Sequence, residues 1–132
     1  MLYLDSNVFV YSALNRGQIG NKARSLIREI QGGKMLAASS ALTFDELVWA
    51  VKKYRSLDDA IIAGEAFLGL QGLKLVDVTE EILSSALTLM RKYRINPRDS
   101  IHGASALRVD AESIVTADKD FDRVEEIQRR PI

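Results

Sequence analysis

Residues 96–118 read NPRDSIHGASALRVDAESIVTAD, and this stretch decides the fold. Asn96 suits a helix N-cap and Pro97 is pre-shaped for the first helical position, so a helix is expected from here to about Val109. Ser113-Ile114-Val115-Thr116 then reads as a short strand, cut off by the polar run Ala117–Asp122. A helix feeding an apolar strand is the repeating unit of a parallel sheet, because parallel neighbours need a crossover between them.

The same alternation extends to both ends of the chain. Leu2–Leu4 is the first expected strand and ends at Asp5; Ser6 to about Asn15 and Asn21–Gln31 are helices, the second stopped by Gly32-Gly33. Met35–Ala38 is the second strand. Ser39-Ser40 offers an N-cap for a helix over about Ala41–Tyr54, in which Phe44, Leu47, Val48 and Val51 recur at i, i+3, i+4 and i+7. Leu57–Leu70 is a further helix with Asp58-Asp59 in its first turn, and Lys74–Val78 is the third strand. Thr79-Glu80-Glu81 opens a helix with Arg91, Lys92 and Arg94 near its end, the charge order that the helix dipole favours. Ile127–Arg129 is expected as an edge strand. With no repeat, low-complexity tract or linker, the expectation is one domain over residues 1–132. Its fold is α/β, a three-layer α/β/α sandwich on a mainly parallel sheet of four to five strands.

Composition narrows the chemistry. In 132 residues there are 18 Lys+Arg, 18 Asp+Glu, one His and no Cys. That excludes a thiolate nucleophile, a zinc finger, an iron–sulfur cluster and a multi-histidine metal site. Ten Asp remain, so any metal bound here is a hard, oxygen-seeking ion such as Mg²⁺ or Mn²⁺. Zero net charge provides no long-range basic field. No apolar run is long enough to span a bilayer, and the N-terminal segment has no signal-peptide layout, so a cytoplasmic location is the default expectation. Neither a P-loop nor G-x-G-x-x-G occurs, which argues against nucleotide-driven phosphotransfer and dinucleotide redox chemistry.

Ligands of parallel sheets sit outside the carboxyl ends of the strands, and the acids fall there. Asp5 ends the first strand, Asp118 the fourth, and Asp99 lies in the first turn of the helix that feeds the fourth. Glu46 sits mid-helix among Leu42, Trp49 and Ala50, where a carboxylate needs compensation. Each Asp also has a structural reading: Asp5 and Asp118 as caps, and Asp99 as the partner of Asn96 in a capping-box arrangement. Together, however, carboxylates at one sheet edge repel by about 4 kcal/mol per pair at 4 Å and an effective dielectric of about 20. They then either keep protons or hold divalent cations. A carboxylate-held cation open to water suits phosphodiester hydrolysis.

Four blocks carry a resemblance to a known family. Leu4-Asp5-Ser6-Asn7-Val8, Glu46 on its helix, Asp99-Ser100-Ile101-His102-Gly103-Ala104-Ser105-Ala106 and Ile114-Val115-Thr116-Ala117-Asp118-Lys119-Asp120-Phe121 resemble the motifs of the PIN-domain nucleases. The nearest branch is that of the VapC-type toxins of prokaryotic toxin–antitoxin pairs. The resemblance implies an endoribonuclease dependent on Mg²⁺ or Mn²⁺, with Asp5, Glu46, Asp99 and Asp118 in the family's acidic positions. Asp5, Asp99 and Asp118 are its implied metal ligands. Asn7 and Thr116 match the supporting polar positions, and Asp120 matches an additional acid; Asp122 matches poorly. A homodimer and a small antitoxin protein are the implied partners besides RNA. An RNA-processing nuclease outside toxin–antitoxin systems and an inactive RNA- or protein-binding PIN-like module are the alternatives. A receiver-like domain is disfavoured because Asp5 has no adjacent acid.

RNA contact is expected from local cations: Lys52 and Lys53 beside Tyr54, Arg91–Arg94, Arg129-Arg130 and, next to Asp99, Arg98. His102 lies one turn from Asp99, either as a catalytic acid or base or as a locally satisfied packed residue. Gly103–Ala106 reads as a strip for close helix packing. Ala60–Leu68 is more apolar than a one-sided helix requires, through burial either in the core or against a partner.

Overall fold

The computed structural model describes residues 1–132. The chain runs β1 (Leu2–Leu4), α1 (Ser6–Leu14), α2 (Gln18–Gln31), β2 (Ala37–Ser40), α3 (Leu42–Tyr54), α4 (Leu57–Leu68), β3 (Leu73–Val76), α5 (Glu80–Tyr93), α6 (Pro97–Arg108), β4 (Ser113–Val115), a 3₁₀ turn (Lys119–Arg123) and β5 (Arg129–Arg130). The five strands form one sheet in the order β3-β2-β1-β4-β5, and every pairing is parallel. Alternation along the strands divides the core in two. Leu2, Leu4, Ala37 and Val115 face residues of α1–α4, whereas Tyr3, Ala38 and Ile114 face residues of α5 and α6. The result is the expected α/β/α sandwich, with five strands.

Element boundaries shift where burial outweighs the apolar pattern. β2 lies two residues later than Met35–Ala38, and Leu36 is exposed. Ser39 and Ser40 enter the sheet because their polarity is satisfied there. Ser39 Oγ donates to the Leu4 carbonyl at 2.8 Å and bonds Thr43 Oγ1 at 2.7 Å. Ser40 still accepts from the Leu42 amide at 3.0 Å, capping α3 from the strand end. α2 begins three residues before Asn21, with Gly20 packed so tightly that a Cβ would stand 2.0 Å from the Asn15 carbonyl oxygen. Ile127 is core rather than strand, and the edge pairing moves to Arg129–Arg130.

Topology places the chemistry. From β1 the chain builds outward through β2 to β3, then returns to the opposite side of β1 to lay down β4. The order therefore reverses between β1 and β4, and open parallel sheets bind ligands outside the carboxyl ends at such a reversal. Asp5 directly follows β1 and Thr116 directly follows β4.

Candidate active site

Asp5 is buried at the end of β1. Its Oδ1 accepts from the Ser6 amide at 2.7 Å, capping α1, and its Oδ2 accepts from Thr116 Oγ1 at 2.7 Å and Asn7 Nδ2 at 3.2 Å. Thr116 Oγ1 in turn accepts from Asn7 Nδ2 and from the Asp118 amide, both at 3.0 Å. Asn7 and Thr116 thus tie the end of β1 to the segment carrying Asp118. Burial raises the Asp5 carboxyl above the usual range, opposed by His102, Thr116 and the Ser6 amide.

Asp118 caps the 3₁₀ turn, accepting from the Asp120 amide at 2.9 Å. One carboxylate oxygen from each of Asp99, Asp118 and Asp120 falls within 4.8 Å of the other two. Asp120, assigned only support from sequence, therefore stands inside the tight acidic group; it also pairs with Arg123 at 2.8 Å. Asp122 is turned to other use, bound by Arg129 Nε at 2.7 Å. Asn96 does occupy the N-cap of α6, but without a side-chain cap bond. Partial burial, the hydrogen bond to Asp118 and the charges of Asp118 and Asp5 push Asp99 up to about 7. Without a cation, this acid is much harder to ionise than an ordinary aspartate.

Glu46 is compensated by His102. The His102 ring is buried, its Nε2 2.6 Å from Glu46 Oε1 and 3.5 Å from Asp5 Oδ1, while Nδ1 lies 2.8 Å from the Tyr3 hydroxyl. An ionised carboxylate only accepts, so Nε2 carries the proton toward Glu46. Burial lowers the imidazole pKa, but the Glu46 hydrogen bond and the charges of Asp5, Glu46 and Asp99 outweigh it and raise the net value. Tyr3 is raised by burial and by Asp5. His102 is thus locally satisfied, with Tyr3 on one ring nitrogen and acids of the candidate site on the other. The Tyr3 link was invisible in sequence; the α6 register shared with Asp99 was the available signal for His102.

The predicted cations divide. Arg98 lines a hollow beside Glu46, and Lys52 lines a groove between α3 and α4. Lys53 Nζ sits 5.0 Å from the Trp49 ring centroid and 5.4 Å from that of Tyr54. Lys92 is held by Glu126 at 2.9 Å and Arg129 by Asp122, so those clusters are partly neutralised within the chain. On α4, Ala60 and Phe67 are buried whereas Ile61, Ile62 and Leu68 face solvent. No helix is long and apolar enough to cross a membrane.

Three carboxylates with one oxygen each within 4.8 Å of the others, with no Cys and a buried His already engaged, are a donor set that could hold a hard divalent cation. The raised Asp99 carboxyl fits this, since burial and the charges of Asp118 and Asp5 disfavour its ionised form unless positive charge is added. The sequence model of the PIN domain matches residues 2–127. No curated protein sequence matches the chain. Among solved structures, the chain is similar to VapC20 of Mycobacterium tuberculosis, a Sarcin-Ricin loop cleaving toxin, at TM-score 0.78 and 12% identity, with 95% of each chain covered. It is similar to a chain of VapBC2 from Rickettsia felis bound to a DNA fragment from their promoter, at TM-score 0.73 and 20% identity over 99% of this chain and 98% of that one. A toxin–antitoxin complex from Klebsiella pneumoniae gives TM-score 0.69 and 19% identity, covering 96% and 95% respectively. At these identities the likeness establishes the fold.

Proposed function

The chain belongs to the PIN domain family, and from that premise we propose that it is a Mg²⁺- or Mn²⁺-dependent endoribonuclease, the toxin of a toxin–antitoxin pair. The observation that carries this reading is the gathering of Asp99, Asp118 and Asp120 at the reversal point of the sheet, with Asp5 and Glu46 joined to them through Thr116 and His102. An inert PIN-like module has no use for so many acids held at a cost in repulsion.

Asp5, Asp99 and Asp118 are the proposed cation ligands, with Asp120 within reach of the last two. The cation, when bound, supplies activation of a water molecule and neutralisation of charge on the scissile phosphate. A bound cation would favour the ionised form of Asp99. Glu46, fixed by His102, orients water or accepts its proton. Thr116 and Asn7 hold Asp5 and the Asp118 backbone in register, and Arg98 meets a phosphate of the strand. Outside the site, exposed Ile61, Ile62 and Leu68 on α4 suit a homodimer contact or a small antitoxin protein. The assay is cleavage of RNA by highly purified protein. Cleavage with Mg²⁺ that is lost in EDTA and in Asp5→Asn or Asp99→Asn is expected. Full activity in either variant sinks the proposed site.

A further inference from the structure

We propose that the hollow beside Glu46, between α1 and α3, takes one unpaired nucleobase of the RNA strand, stacked on Trp49, next to the phosphate that is cut. This rests on the nuclease reading above. The hollow, about 380 Å³, is lined by Ser6, Asn7 and Glu46 of the acidic site together with Tyr11, Trp49 and Arg98. It is therefore continuous with the proposed catalytic groups, and its volume is at the small end for ligand sites, suited to one base with its sugar.

Three observations select a base over other parts of RNA. Asp45 and Glu46 outnumber Arg98 among the charged residues that line the hollow, so beyond the one phosphate that Arg98 meets, the neutral, flat part of a nucleotide is favoured there. Trp49 is 61% exposed, unusual for an indole in the middle of a helix. An exposed indole offers a face to an unstacked base and nothing to a paired one, whose faces are covered by its neighbours. Glu46, Trp49 and Lys53 lie at i, i+3 and i+7 on α3, so Trp49 stands about 4.5 Å and Lys53 about 10.5 Å along the axis from the site. Lys53, 5.0 Å from the indole centroid, holds the ring and presents its charge to the next phosphate outward. A strand leaving the site along α3 meets aromatic and then cation, with Arg98 beside the acids.

The test uses the fact that Trp49 is the only tryptophan, so indole emission reports this position alone. The wild-type protein is titrated, with Ca²⁺ replacing Mg²⁺ to slow cleavage, with a single-stranded RNA of mixed sequence about ten nucleotides long. The same RNA annealed to its complement and an abasic ribose-phosphate chain of equal length are the controls. Quenching by the single strand but by neither control is expected. In Mg²⁺, Trp49→Ala should raise KM about tenfold with kcat within about twofold, and Trp49→Phe should restore most of the loss. RNA cleavage by wild type with unquenched emission and an unchanged KM in Trp49→Ala overturns the base site and leaves the nuclease reading standing. A wild-type protein that neither cleaves nor binds RNA overturns both. Quenching by the abasic chain to the same extent overturns stacking as its cause.

Discussion

Replacing Asp99 by Asn should stabilise the metal-free protein, and only above the acid range. In the fold this carboxyl is raised from 3.8 to about 7 by burial and by Asp118. Between those two values the native state binds a proton that the unfolded chain has lost, so stability falls as pH rises through the window and reaches its lowest level above the folded pKa. Three units correspond to about 4 kcal/mol. Asp99 is only half-buried, so solvent screening reduces this to about 2 kcal/mol. Asn carries the shape of the protonated acid without its titration. Asp99→Asn should therefore be nearly neutral at about pH 4.5 and stabilising by about 2 kcal/mol at about pH 8, a rise of roughly 5–10 °C in Tm. Thermal unfolding followed by circular dichroism in EDTA at the two pH values is the assay. Saturating Mg²⁺ should recover the loss in wild type and do less for the variant. A difference between the proteins that does not change with pH would mean that Asp99 is not raised by burial and by crowding against Asp118.

Three further outcomes follow from the same geometry. His102→Leu leaves Glu46 half-buried without its partner and should destabilise the fold by about 3–5 kcal/mol in urea unfolding, with His102→Gln losing less; equal losses would show that the ring's volume matters and its hydrogen bonds do not. Arg98→Ala should weaken RNA binding and reduce the slope of log affinity against log salt by about one; an unchanged slope removes Arg98 from phosphate contact. Light scattering at micromolar concentration should return a dimer, and a strict monomer removes the homodimer use of exposed Ile61, Ile62 and Leu68.

The layers and topology were legible because local signals agreed with global demands. Asn96-Pro97 started α6 and Leu2–Leu4 formed β1 where their patterns put them. Ser39 and Ser40 broke the apolar pattern for β2 because partners on other elements satisfy their hydroxyls: Leu4 and Thr43 for Ser39, and the Leu42 amide for Ser40. The site divides likewise. The placement of Asp5, Asp99 and Asp118 at strand and helix ends, and of Glu46 in mid-helix, was legible. The partner that makes Glu46 tolerable was not legible, since His102 is 56 residues away. Nor was the closeness of Asp120 to Asp99, which depends on how the 3₁₀ turn folds back after Asp118.

Whether these acids are gathered to hold a divalent cation is decided by anomalous scattering from crystals soaked in Mn²⁺. A Mn²⁺ peak is expected against Asp99 and Asp118, within reach of Asp5 or Asp120, and should be lost in Asp118→Asn. A pocket with no anomalous density at saturating Mn²⁺ would contradict that role.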